Sequence, residues 1–170
     1  MLKIIGEEMK LKRQLMAIGC VLLGTPALAD WLYEQEIDKM RGSVINYASV
    51  KSDNVLSFSF PYDGGSIATL GFRLHDPNQL EAYLMISKGQ FTCSGYSYDV
   101  VSVKFDERPL QEFRCNQAAD GNTKTIFIND ATGFLRQMQS ASKVIIEADF
   151  YQEGPRQLNF SVAGIRWSMN

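Results

Sequence analysis

The chain has 170 residues, 17 basic against 19 acidic, with three cysteines and a single histidine. That charge balance excludes a nucleic-acid-binding surface built on a basic excess. The lone histidine excludes a clustered zinc site, and no Ser/His or Cys/His pairing follows from the spacing.

The first 29 residues carry the strongest signal. Lys10, Lys12 and Arg13 precede the apolar run Leu15–Gly24, followed by Thr25-Pro26-Ala27-Leu28-Ala29. Basic, apolar and small-residue regions in that order predict a secretory signal peptide cut after Ala29, leaving Asp30 first. The apolar run is about half of the ~20 residues a membrane-spanning helix needs, so no transmembrane span is expected in the mature chain. Met9 is itself a suitable start, which makes residues 1–8 an over-long beginning. Lipidation at Cys20 is the weaker alternative, because Arg13 leaves too short an apolar segment before it.

Removal of residues 1–29 takes away four basic and two acidic residues, leaving 13 against 17 and a net charge of −4. The remaining residues 30–170 are of a size for one domain with its own core. Two cysteines survive, Cys93 and Cys115, with one possible pairing, and an exported chain enters a compartment where disulfides persist. A periplasmic or secreted protein is therefore expected.

In chain order, strands are expected at 43–50, 55–60, 67–74, 80–86, 101–105, 110–115, 124–128, 143–150 and 157–167. Alternation is cleanest where Ala68, Leu70 and Phe72, then Val101, Val103 and Phe105, then Val144, Ile146, Ala148 and Phe150 share one side. Turn chemistry separates these runs at Pro61–Gly65, Asp76–Asn78, Lys88–Gly89, Asp106–Pro109, Ala119–Asn122 and Glu153–Arg156. One segment changes period: Asn129 or Asp130 caps a helix over about 131–141, with Phe134, Leu135, Met138 and Ala141 on one stripe. Gly164 reads as a β-bulge that switches the register and keeps Trp167 buried. Phe58, Phe60 and Tyr62 share a parity and are expected in the core. The fold expected is mainly β, an antiparallel sandwich or small partly open barrel with one short helix near the C-terminus. Lys104, Glu112, Arg114, Glu147 and Asp149 on outward faces exclude an outer-membrane barrel.

No site in this pattern has catalytic or cofactor-binding form. His75 stands at a strand end as a loop-edge residue. Gly64-Gly65-Ser66 runs into a strand and not a helix, so it is a turn and not a phosphate loop. Glu147 and Asp149 share one face of one strand with Lys143, as a solvated face does. No metal and no cofactor are expected.

The stretch Cys93-Ser94-Gly95-Tyr96-Ser97-Tyr98-Asp99 is different. Phe91 and Cys93 share a parity, as do Phe113 and Cys115, so both cysteines point inward with a phenylalanine. Ser94, Gly95, Tyr96 and Tyr98 are then the candidate binding residues, aromatics on a hairpin anchored by the disulfide. Tyrosine suits recognition because it offers large contact area at low entropy cost.

Ser94-Gly95-Tyr96-Ser97-Tyr98 resembles the S-G-x-x-Y motif of the C-type lysozyme inhibitors of bacterial envelopes, where the motif is associated with insertion into the lysozyme cleft. More broadly, Phe60–Gly65, Lys88–Cys93, Lys104–Asp106, Asp149–Gly154 and Gly164–Trp167 resemble a group of small exported bacterial proteins to which no activity is assigned. Three functions follow as expectations. The first is a non-enzymatic exported module that binds a protein or glycan of the envelope or extracellular space, a lysozyme or toxin inhibitor being its sharper form. The second is an envelope hydrolase in which Glu147, Asp149 and Asp106 converge. The third is a structural subunit of an envelope assembly.

Overall fold

The computed structural model describes residues 28–75, 79–93 and 99–167. Nine strands and one helix follow one another as β1 (Leu32–Ile37), β2 (Val44–Lys51), β3 (Ala68–Leu74), β4 (Leu80–Ile86), β5 (Val100–Phe105), β6 (Gln111–Gln117), β7 (Thr125–Ile128), α1 (Ala131–Met138), β8 (Lys143–Phe150) and β9 (Gly154–Ser161). They form one open antiparallel sheet in the order β1-β2-β3-β4-β7-β6-β5-β8-β9. The chain leaves β4 for β5 and returns through β6 and β7, so the β5–β7 meander fills the middle of the sheet.

Side-chain alternation defines the inner face. Ala68, Leu70 and Phe72 stand opposite Ile86, Leu84 and Ala82. Val101 and Val103 continue the row to Phe113 and to Ile146, and from there to Leu158. All of these side chains are buried in one cluster. Burying each large one contributes about 1.5–3 kcal/mol relative to exposure, which is why these runs form strands. α1 covers this face. It is too short to be stable alone, and it is held by packing: Phe134 is fully buried, its ring 5.1 Å from Phe113, 5.5 Å from Phe105 and 6.0 Å from Phe72. Asp130 Oδ1 accepts the Gly133 amide at 3.0 Å as the N-cap. A Cβ at position 133 would meet that carboxylate at 2.1 Å, so the cap requires glycine there.

The sheet curls until the segment after β2 meets the outer edge of β9. Asp53 N–H donates to Asn159 O at 2.7 Å. Asn54 donates through Nδ2 to Gln157 O and accepts through Oδ1 from Asn159 N–H. Trp31 reaches the chain leaving β9, its indole N–H donating to Val162 O at 3.0 Å and its ring lying 6.5 Å from Phe72. The expected partly open barrel is thus a rolled sheet whose gap is spanned by short segments. On the outer face, Gly71 stands opposite Tyr83 in the register. The tyrosine ring lies flat over it, close enough that a Cβ at 71 would come within 2.4 Å of that ring.

Four local expectations change. Residues 55–60 form no strand: a single bridge joins Leu56 to Ser66. Leu56 and Phe58 are buried, but pairing stops at that bridge, and the Ser59 amide goes to Glu153 Oε1 at 2.6 Å. Phe60 is 89 % exposed and not core, while Tyr62 is half-buried, its hydroxyl accepting from Gln90 Nε2. The helix ends at Met138, where Ala141 N–H bonds to Met138 O in a tighter turn. The last strand ends at Ser161. Gly164, at φ +82°, lies in a turn beyond it and not in a bulge, and Trp167 is half-buried outside any strand.

Candidate functional site

Ser94, Gly95, Tyr96 and Tyr98 lie outside the described residues, but the ground on which they stand does not. Cys93 and Cys115 form a disulfide across a separation of 22 residues, and both are buried. Phe91 bridges to Phe150, Thr92 N–H donates to Asp149 O, and Cys115 N–H donates to Asp99 O. Both roots of the loop are therefore tied to the sheet. The inward parity expected for Phe91, Cys93, Phe113 and Cys115 is what the fold contains.

The carboxylates do separate work. Asp106, at φ 47°, accepts the Ser142 and Lys143 amides at 3.0 and 2.9 Å and so closes the junction between β5 and β8. Glu147 accepts from Gln157 Nε2 across β8 and β9. His75 lies 3.3 Å from Glu81, which also pairs with Arg73. The Arg73 guanidinium in turn covers the Phe127 ring at 4.7 Å. Among the described residues no group of three histidine, cysteine, aspartate or glutamate side chains is placed to hold a metal ion.

What the fold does assemble is a cleft at the β1 end of the sheet. Among the described residues β1 pairs only with β2, and all six of its residues are exposed. The register puts Tyr33, Gln35 and Ile37 on the inner side, opposite Ala48, Asn46 and Val44, and Leu32, Glu34 and Glu36 on the outer side. The chain beyond Gly164 returns beside this end. There Arg166 N–H donates to Tyr33 Oη at 2.7 Å, and Trp167 O accepts from Gln139 Nε2 at the end of α1. Between them lies an open space of about 530 Å³, lined by Tyr33, Glu34, Gln35, Asn46, Tyr47, Arg166 and Trp167 among others. Gln35 Nε2 donates to Asn46 Oδ1 at 2.9 Å, which aligns two side-chain amides along the floor. Tyr47 donates to Glu36 Oε2 at 3.2 Å, and partial burial followed by that carboxylate pushes its phenol above the usual value. Among the described residues the buried Trp167 indole nitrogen has no hydrogen-bond partner, an arrangement that costs about 1–3 kcal/mol. A second space of about 600 Å³ lies near Asp53 and Asp106. There Asp53, Asp106 and Glu107 already have partners in Ser161, the β8 amides and Lys104.

The cleft was not foreseen, because β1 itself was not. Its signal is nevertheless present: Trp31, Tyr33, Gln35 and Ile37 alternate with Leu32, Glu34 and Glu36, a period of two. Among the described residues no helix is long and apolar enough to cross a membrane.

No family model matches the chain, and no curated protein matches it. Among solved structures the chain is similar to invasion associated protein B from Bartonella henselae, at 11 % identity over 78 % of this chain and 82 % of that one, with a TM-score of 0.44.

Proposed function

We propose that the protein is an exported, non-enzymatic binding module that engages a partner of the envelope or extracellular space at the β1 end of its sheet. The observation that carries this is the cleft itself: tyrosines, a tryptophan and paired amides gather around open space beside a strand that, among the described residues, has no outer neighbour. Such a surface offers contact area and hydrogen bonds without a poised acid, base or nucleophile. The leader-like residues 1–29 and the Cys93–Cys115 bond support export to an oxidising compartment. The test is site-specific photo-crosslinking in the producing cell, with the photoreactive group at Gln35 in the cleft or at the exposed Glu112 of β6. Adducts from position 35 alone are expected. Equal adducts from both positions, or none from 35, would remove the reading.

A second contact surface is proposed at Ser94–Tyr98, on the resemblance to lysozyme inhibitors and on the disulfide at its base. Purified protein should slow a C-type lysozyme and Tyr98→Ala should not. Undiminished lysozyme activity with the unaltered protein would exclude it.

A further inference from the structure

The two edges of the sheet are not alike, and the difference points to a ligand. β9 is capped at Gln157 and Asn159 by Asp53 and Asn54. β1 presents its outer backbone groups unpaired among the described residues, over six residues that span roughly 20 Å. Exposed edges are usually blunted by proline, lysine, a bulge or a covering loop. β1 contains no proline and no lysine, and its register with β2 runs without interruption from Leu32 to Ile37.

Its charges are instead Glu34 and Glu36, both on the outer side, and neither takes part in an ion pair among the described residues. Asp38, just beyond, is already spent on Arg41 and on the amides of residues 40 and 41, which holds the β1–β2 turn. The inner side of β1, Tyr33, Gln35 and Ile37, is uncharged; Tyr33 and Gln35 line the cleft together with Glu34 from the outer side.

We infer that β1 accepts an extended peptide segment of a partner protein as a tenth, antiparallel or parallel strand, with basic residues opposite Glu34 and Glu36 and apolar residues on the alternate side, facing Tyr33 and the cleft. This rests on the binding-module reading and names its ligand. Strand addition supplies main-chain hydrogen bonds for affinity, and pockets for alternate side chains supply selectivity. A second copy of the chain fits worse. With inner faces aligned, the central antiparallel registers of β1 on β1 place Glu34 or Glu36 directly opposite another glutamate, and like charges at that position are unfavourable.

The probe is a synthetic peptide of about seven residues alternating lysine with valine or phenylalanine, long enough to cover β1. Its binding to the oxidised protein is followed by 15N–1H spectra. Two further peptides carry N-methyl groups on one or the other alternate set of amides. One set should weaken binding about tenfold or more and the other should leave it unchanged, because only one set can face β1. A peptide with glutamate in place of lysine should not bind, and the variant Glu34→Lys with Glu36→Lys should reverse that preference. No binding of the lysine peptide overturns the inference, as does equal behaviour of the two methylated sets, which would leave charge attraction alone. Self-association of the free protein, abolished by the double variant, would also overturn it and give the edge to a second copy. Should these peptides fail while crosslinks from position 35 persist, the strand-addition inference falls and the binding-module reading stands.

Discussion

β9 and β1 bound the same sheet, but the chain treats them in opposite ways. At β9, Asp53 and Asn54, shortly after β2, fold across the free edge, and Asn54 donates to one residue of the strand and accepts from another. At β1 the neighbouring side chains are ordered but the backbone edge is left bare: Gln35 and Asn46 are joined, Tyr33 is met by the amide of Arg166, and the turn beyond is held by Asp38. A strand that is rigid at both ends and open along its side is a template. A sealed edge, by contrast, protects the core from solvent and from stray pairing. On the proposed function, the sealed edge serves stability and the open one recognition.

That separation can be broken by mutation. The largest effect is expected for Trp31→Ala, which removes both the ring packed near Phe72 and the bond to Val162 O. A loss of about 3–4 kcal/mol in urea unfolding is expected, and an unchanged midpoint would mean that Trp31 does not clasp the sheet. Reducing Cys93–Cys115 should cost about 3 kcal/mol in the chain-entropy model, seen as a lower denaturation midpoint with reductant present. Asn54→Ala should cost about 1–2 kcal/mol and speed hydrogen exchange at the Asn159 amide, whereas Gln35→Ala, on the fully exposed strand, should stay within about 0.5 kcal/mol of the parent. Equal losses from these two would erase the distinction between the edges.

The smallest effect is one of pH. The Ser59 amide, with Arg156 assisting, holds the Glu153 carboxyl below the ordinary 4.5. A depressed carboxylate contributes stability that is present above its unfolded value and lost as pH falls through the folded one. Glu153→Gln should therefore lower the unfolding midpoint slightly at neutral pH, with the difference from the parent closing as pH falls below 4.5. An identical acid profile in the variant would show that the contact contributes nothing.

How much of this was legible beforehand depended on burial. β3, β5 and β8 were readable because one side of each enters the core, so Ala68 to Phe72, Val101 to Phe105 and Val144 to Phe150 alternate cleanly. The disulfide followed from counting cysteines. β1 escaped because neither of its sides is buried, which blurs the contrast that alternation needs. Residues 55–60 misled for the converse reason: Leu56 and Phe58 are buried on alternate positions, but backbone pairing does not follow from burial. The cleft was out of reach of any local pattern. It joins Tyr33, Asn46 and Tyr47 to Arg166 and Trp167, brought together only when the chain after β9 passes the far end of the rolled sheet.

The Gly71–Tyr83 contact has a consequence for spectroscopy. Burial raises the Tyr83 phenol above its ordinary 10.0, and burial with Glu36 does the same for Tyr47, so these two rings, one in the body of the sheet and one beside its open edge, lose their protons later than a free tyrosine. An alkaline absorbance titration should resolve them as a late phase. Because Tyr47 takes part in the cleft, and its charge is, after burial, the next cause raising Tyr83, a bound ligand should move that late phase, making the protein its own optical indicator.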